Sequence, residues 1–478
     1  MNDITQAQLS GKTREEHDLL GYKQVPEEYY FGVQTLRAVE NFNISRVKLC
    51  MYPEFVRGLA EVKAAAAMAN RDLGLMDTEV AEAIVAACKE VAEGKFDAHF
   101  VVDMVQGGAG TSTNMNANEV IANRALELLG HAKGEYKFCH PNNHVNLSQS
   151  TNDAYPTSIK VATVRSIEGM IVVLERLIDS LAAKGQEFKE VIKMGRTQLQ
   201  DAVPMTLGQE FDAYAATLKE EVARLHKCKT LCYVQNMGAT AIGTGINSDP
   251  DYPALCNKYL CEITGMPMSV ATNMIEATND TSALVSISSA LKRLAIKISK
   301  ICNDLRLMSS GPRCGLHEIN LPPMQPGSSI MPGKVNPVIP EVVNQVAFKV
   351  IGNDLTVSFA SEAAQLELNV MEPVMVQAIF ESIDMLNNAM DTLRIRCIDG
   401  ITANEQVCKD LVYNSIGLVT ALNPYLGYET STSLAKEALE TGKGIYDLVL
   451  ERNLMSREEL DNILRPEFMV QPRKFPKQ

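Results

Sequence analysis

The chain has 478 residues, with 45 Lys+Arg against 58 Asp+Glu and a formal charge of −13. Hydrophobic residues make up 46% and charged residues 22%, the balance of a folded globular chain, so dominant disorder is excluded. An acidic chain repels phosphate backbones, and with no Trp and 6% aromatics it lacks stacking platforms for bases, so no nucleic-acid role is expected.

In chain order, segments 56–73, 78–93 and 119–129 read as helices of a mixed N-terminal region. Between them lies 106–116 (QGGAGTSTNMN), rich in Gly and hydroxyls and ending just before a helix. Its three glycines let backbone N–H groups approach a ligand, and Thr111, Ser112 and Thr113 sit near a helix start, which favours anions. It is not a Walker loop, because no Lys follows the glycines. Taken alone it is equally an N-cap behind a flexible lead-in. The segment 148–153 (SQSTND) places Ser150, Thr151 and Asn152 at the start of a long helix, where capping is the ordinary use.

Five long apolar stripes follow. They are carried by Val164, Ile167, Ile171, Leu174, Ile178 and Leu181; by Leu207, Phe211, Tyr214, Leu218, Val222 and Leu225; by Leu284 through Leu305; by Val343, Val346, Val350 and Val357; and by Val376 through Leu393. Spacings of three and four predict five helices of about 25–35 residues in an elongated bundle. Their width and Ala/Val/Ile richness leave apolar surface uncovered, which predicts that bundles of several subunits pack together. Between the first two stripes, 194–205 reads as a turn in which Arg196 and Thr197 could contact a carboxylate. Between the third and fourth lies 327–337 (GSSIMPGKVNP), with two Ser, one Lys and one Asn between hinge glycines Gly327 and Gly333. A Gly-hinged loop carrying a Lys has the make-up of an active-site lid. Beyond about Asp399 the helices shorten, Asn423-Pro424 breaks the pattern, and 467–478 reads as a loose tail.

The length predicts two to four domains, at about 100–200 residues each. No window of about 18 apolar residues occurs, so no membrane span is expected. The polar segment 1–12 lacks the apolar core of a signal peptide, so the cytoplasm is the expected compartment. The 11 Cys then read as reduced thiols. The pairs Cys228/Cys232 and Cys256/Cys261 have no His at ligand spacing, and no metal site is expected. Neutral donors plus a Lys, without a Ser-His-Asp order or cofactor motif, suit a substrate with carboxylates and a transition state in which a carboxylate gains charge.

The segment 327–337 is similar to the signature of the fumarase/aspartase superfamily, and the segments 106–116, 148–153 and 194–205 match its other active-site regions in order. The resemblance covers nearly the whole chain, from Asp18-Leu19-Leu20-Gly21 and 28–35 (EYYFGVQT) onward. Within it, Val338 after Asn336-Pro337 and Gln198 after Thr197 resemble the aspartase branch; fumarases usually carry Thr-Gln at the first place, and at the second fumarases and some aspartases carry His where other aspartases carry Gln. The resemblance implies a mainly all-α fold of three domains, taken as 1–148, 149–403 and 404–478. A central long five-helix bundle would pack into a twenty-helix core in a homotetramer with active sites built from three subunits. It implies reversible deamination of L-aspartate to fumarate and ammonia, with fumarate hydration as the alternative. Ser328 corresponds to the base that takes the Cβ proton, giving an aci-carboxylate, with Lys334 and backbone N–H groups stabilising its alkoxide. Ser329, Lys334 and Asn336 would hold substrate carboxylates, and Thr111, Ser150, Thr151, Asn152 and Thr197 would supply the remaining donors. No cofactor is required in this family, though some members are activated by Mg²⁺. The segment 140–146 (HPNNHVN) resembles the neighbourhood of a secondary anion site of fumarases, but Asn143 replaces an Asp there, and His140 and His144 are read as structural.

Overall fold

The computed structural model describes residues 9–472 and 474. Along the chain come the strands β1 (Thr13–Asp18) and β2 (Gly21–Pro26), then the helices α1 (Val33–Asn41), α2 (Pro53–Asp72), α3 (Thr78–Ala92), α4 (Thr111–Leu128) and α5 (Thr151–Glu187). A hairpin of β3 (Ile192–Thr197) and β4 (Gln200–Thr206) leads into α6 (Leu207–Lys229). Next are β5 (Val234–Gln235), α7 (Tyr252–Thr264), β6 (Ser269–Val270), α8 (Met274–Asn279), α9 (Ser282–Met308), β7 (Ile319–Asn320), α10 (Val338–Glu362), α11 (Glu372–Arg396) and β8 (Thr402–Ala403). Six short helices follow, α12 (Glu405–Asn414), α13 (Val419–Leu426), α14 (Tyr428–Thr441), α15 (Ile445–Glu451), α16 (Arg457–Ile463) and α17 (Pro466–Met469). The fold is mainly α, with only two-stranded sheets among the described residues. None of the described helices is long and apolar enough to cross a membrane.

All five apolar stripes fall on helices, α5, α6, α9, α10 and α11, of 37, 23, 27, 25 and 25 residues. Most of their stripe residues are buried, for example Ile167, Leu218, Leu294, Val350 and Ile383, so a 3.6-residue period was enough to find them. Other details differ from the sequence reading. The helix expected over 119–129 begins at Thr111, because Asn114, Asn116 and Asn118 on its first turns are buried and hydrogen-bonded rather than solvent-facing. The segment 194–205 is the β3–β4 hairpin rather than a turn, and its alternation is interrupted by a bulge between Met194 and Arg196. Pro424 lies inside α13 rather than breaking the pattern, two residues before the helix ends. The expected loose tail lies partly outside the described residues; of it, α17 is helical to Met469.

The chain forms two compact units, 1–171 with 223–293 and 348–386, and 172–222 with 294–347 and 387–478. In the first, Phe55 packs against Tyr155 and Phe380 at ring-centroid distances of 5.7 and 5.4 Å. Its most constrained point is the start of α1. The buried carboxylate of Glu119, on α4, accepts N–H groups of Gly32, Gln34 and Thr35 at 2.8, 2.8 and 3.0 Å, and Glu16 accepts that of Val33 at 2.9 Å. These are the donors that a helix start leaves unpaired. In the second unit, Ile192 and Met194 of the hairpin share one apolar core with Val412, Leu422, Leu434, Leu448 and Leu460 of the short helices. The hairpin is therefore seated on those helices by burial of its inner face.

Burial pushes Glu119 up to about 7. Its folded value lies above the ordinary carboxylate value, so the native state holds this proton more tightly and stability declines as pH rises from about 4.5 to 7. Glu119→Gln, which stays neutral at every pH, is expected to flatten that decline. An unchanged slope in thermal unfolding between pH 4.5 and 7 would refute this.

Candidate active site

In the first unit the sequence-predicted residues converge on the starts of α4 and α5. Thr111 opens α4 and is exposed; its hydroxyl donates to the Gly108 carbonyl at 2.8 Å. The preceding turn requires left-handed backbone at Gly108, Ala109 and Gly110, with φ of 92°, 55° and 89°. A Cβ on Gly110 would also lie 2.6 Å from the Tyr155 ring. One turn further on, Asn114 donates its amide to Thr151 Oγ1 at 3.1 Å, which fixes the start of α5 against α4. The anchor beneath is Lys63, fully buried on α2. Its ammonium donates to Asn114 Oδ1, Asn146 Oδ1 and Gln149 Oε1 at 2.6, 2.9 and 2.8 Å. Burial pulls Lys63 down to about 7, opposed by the charge of Asp153.

Ser150 caps α5, its hydroxyl oxygen accepting the Asn152 N–H at 3.2 Å. Capping thus occupies the acceptor and leaves the hydroxyl hydrogen for a ligand. Asn152 donates one amide hydrogen to the Ala241 carbonyl at 2.7 Å, leaving its second amide hydrogen and its side-chain oxygen for a ligand. Asp153 is buried and accepts N–H groups of Ser150, Gly238 and Thr240 at 2.9, 3.2 and 2.9 Å. Burial raises it to about 7, against these bonds. The segment 236–245, sutured to α5 by Asn152 and Asp153, was missed in the sequence, although its three glycines and two threonines were a signal. Lys63 was missed as well; a lone charge ahead of four alanines was its trace.

In the second unit lie Thr197 and the loop 327–337. Thr197 is exposed and pairs with Gln200 across the β3–β4 turn. The turn residues Gln198 and Leu199 have φ of 56° and 62°, left-handed geometry without glycine at about 1–2 kcal/mol each. Arg196 does not stand free for a substrate carboxylate: its guanidinium donates to the buried Glu318 Oε1 at 2.9 Å and to the Met194 carbonyl at 3.3 Å. That correction reflects a partner 122 residues away, which local spacing cannot reveal.

The loop closes on itself. The N–H of Gly327 donates to the Lys334 carbonyl at 2.7 Å, and the Asn336 amide donates to the Gly327 carbonyl at 2.6 Å. Within this ring the hydroxyl oxygen of Ser328 accepts the N–H groups of Ile330 and Met331 at 3.2 and 3.0 Å. Ser329 and Lys334 are exposed at its rim, and one amide hydrogen of Asn336 remains available. The arrangement offers a hydroxyl oxygen held by two N–H donors in a loop that also carries a Lys, which suits stabilisation of negative charge. His140 and His144, in the first unit, work as caps: His140 Nδ1 accepts the Asn142 and Asn143 N–H groups at 3.0 and 3.3 Å, and His144 Nδ1 accepts that of His140 at 2.8 Å.

Comparison with known proteins agrees with this architecture. Residues 21–352 match the family model described as "Lyase", and residues 418–471 match "Fumarase C C-terminus". The chain is 60% identical over 464 residues to an aspartate ammonia-lyase of Pseudomonas fluorescens, covering 97% of each chain. It is 56% identical over 465 residues to the one of Escherichia coli K12, again covering 97% of each. A fumarate lyase:delta crystallin of Brucella melitensis, crystallised with cobalt, superposes with a TM-score of 0.94 at 52% identity, over 96% of this chain and all of that one. A class II fumarase of Schistosoma mansoni gives 0.91 at 36% identity, over 97% and 100%. The chain belongs to the fumarase/aspartase superfamily of lyases. The expectation of an enzyme of the carbon–nitrogen lyase class is in accord with its aspartate ammonia-lyase relatives.

A Cβ on Gly327 would lie 2.5 Å from the Lys334 carbonyl oxygen and 2.8 Å from the Asn336 nitrogen. Gly327→Ala is therefore expected to open the ring at its base. Limited proteolysis should cleave the variant within 327–337 faster than the wild type at an unchanged thermal midpoint; equal cleavage would contradict the geometry.

Proposed function

We propose that the protein is an aspartate ammonia-lyase, converting L-aspartate reversibly to fumarate and ammonia by Ser-based removal of the Cβ proton. The observation that carries the mechanism is the pair of N–H groups, from Ile330 and Met331, aimed at Ser328 Oγ. A serine hydroxyl is far too weak an acid to act as base unaided, and these donors favour its alkoxide. Ser328 Oγ takes the Cβ proton, and the electrons move into the adjacent carboxylate as an aci-carboxylate. Ser329, Lys334 and the free amide hydrogen of Asn336 hold its oxygens. The electrons then return, the Cα–N bond breaks, and the nitrogen leaves as ammonia.

Thr111, Ser150, Thr151 and Thr197 add hydroxyl donors. The Asn152 side-chain oxygen is an acceptor and suits the α-ammonium group. Proton transfer and elimination call for no electron or group carrier. The aspartase reading is favoured over fumarase by the 56–60% identity to named aspartate ammonia-lyases, against 36% to the class II fumarase.

A homotetramer with sites shared among three subunits goes with this reading. Support comes from α10, where Phe348, Ile351, Leu355 and Phe359 are 64%, 38%, 57% and 66% exposed at helical spacing. Four large apolar side chains on one helical stripe call for a covering surface.

Fumarate absorbance in the ultraviolet, with L-aspartate in one cuvette and L-malate in another, tests the reading. Fumarate from aspartate is expected; fumarate from malate alone would move the chain to the hydratases. Ser328→Ala should lower kcat by roughly 10²–10⁴-fold with the assembly unchanged by size-exclusion chromatography. Lys334→Ala should lower kcat and raise KM for aspartate, each by about tenfold, because it removes a charge-assisted contact. Wild-type kinetics in either variant would remove that residue from its role.

A further inference from the structure

The turn that carries Thr197 is held in left-handed geometry by residues with no preference for it, and its restraint comes from one buried carboxylate. Lys193 and Arg196 are three positions apart on β3. In a regular strand they would face opposite sides. The register slips between Met194 and Arg196, where the single residue Gly195 faces two residues of β4, Ala202 and Val203, and the strand is irregular there. The glycine there is required by space, since a Cβ on Gly195 would meet the Val203 carbonyl at 2.8 Å. Both cations then reach Glu318: Arg196 Nη1 lies 2.9 Å from Oε1, and Lys193 Nζ lies 3.3 Å from Oε2. Lys193 is also paired with Glu210 on α6.

Glu318 is wholly buried, and its own backbone is fixed at both ends. Its N–H donates to the Met308 carbonyl at 2.9 Å, and its carbonyl accepts the Asn404 N–H at 2.9 Å and the Cys408 thiol at 3.4 Å. The next two residues pair with β8, as Ile319 with Ala403 and Asn320 with Thr402. A carboxylate immobilised in this way grips the hairpin one residue before Thr197, where strain must be over-determined if it is to persist.

We propose that Glu318 is a positioning residue, whose carboxylate grips Lys193 and Arg196 of β3 and so holds the strained Gln198–Leu199 turn in the pose in which Thr197 meets the substrate. It acts through Arg196 and touches no substrate atom. The proposal rests on the reading of Thr197 as a substrate contact.

The test uses the full-length enzyme and three variants, Glu318→Gln, Leu199→Gly and the double variant, with Arg196→Gln as a milder release should Glu318→Gln fail to fold. Glu318→Gln is expected to raise KM for L-aspartate by about tenfold with kcat within about threefold, because the defect lies in presentation of a contact. Leu199→Gly relieves the left-handed strain, so it should leave the otherwise wild-type enzyme near normal and restore most of the lost KM in the double variant. A merely structural role would lower kcat and thermal midpoint together and would not be rescued by a glycine in the turn. Hydrogen exchange of the backbone N–H groups over 192–206 provides a readout without turnover. It should quicken by about tenfold in Glu318→Gln and slow again in the double variant. Unchanged exchange, or faster exchange with unchanged KM, overturns the proposal. If wild-type enzyme forms no fumarate from aspartate, the aspartase reading has failed, and the exchange arm alone decides whether Glu318 holds the turn.

Discussion

A single buried ammonium sets much of the first unit. Lys63 cannot sit wholly out of water without partners, since an unpaired buried charge costs several kcal/mol. Its three acceptors come from α4 and from the segment leading into α5, so satisfying one charge fixes two helix starts. Asn114, held by Lys63, in turn holds Thr151. Asn146 Oδ1 accepts not only Lys63 but the amides of Asn114 and Asn118, each at 3.1 Å. The hydroxyls offered at the start of α5 are thus aimed before any ligand arrives, which is the condition for donors to favour a charged transition state.

The second unit repeats the principle with the sign reversed. Glu318 is the immovable carboxylate, and the cations Lys193 and Arg196 belong to the element that must be placed. Buried ion pairs of this kind add little net stability compared with apolar packing, and their use is to specify one arrangement among several. That fits a hairpin whose inner residues, Ile192 and Met194, are already seated by an apolar core. Burial decides that the hairpin lies on the short helices; the ion group decides the pose of its tip.

These same features explain which parts of the protein could be read from its residues. The long helices were legible because apolar side chains recur with the helical period and little else competes; the stripe from Leu284 to Leu305 on α9 is buried throughout. The four chemical segments were legible as clusters of glycine, hydroxyl and amide groups, and the family resemblance gave them roles. Geometry that depends on distant partners was not legible. Glu119 carries no local sign of its role, yet it caps α1 more than eighty residues upstream. Arg196 reads as a ligand for a foreign carboxylate and instead serves one of the chain's own. The hairpin escaped because its bulge at Gly195 interrupts the two-residue alternation by which strands are found.

The loop 327–337 shows why such a site is built from backbone rather than from charged side chains. In the resting hydroxyl state, the N–H groups of Ile330 and Met331 make ordinary hydrogen bonds to Ser328 Oγ. Once that oxygen carries negative charge the same two bonds become charge-assisted and roughly twice as strong, with no atom having to move. In the proposed mechanism they raise the share of Ser328 present as the alkoxide that begins the reaction, and they relax again as that oxygen takes the Cβ proton. A second cation placed directly on Ser328 would favour the alkoxide more strongly, but it would also compete for the substrate's carboxylates. Under the proposed mechanism Lys334, whose carbonyl accepts the Gly327 N–H, would serve the carboxylates while the peptide N–H groups serve the base. The glycines at 327 and 333 are what allow so short a ring to present both, the first because no Cβ fits and the second because its φ is 81°.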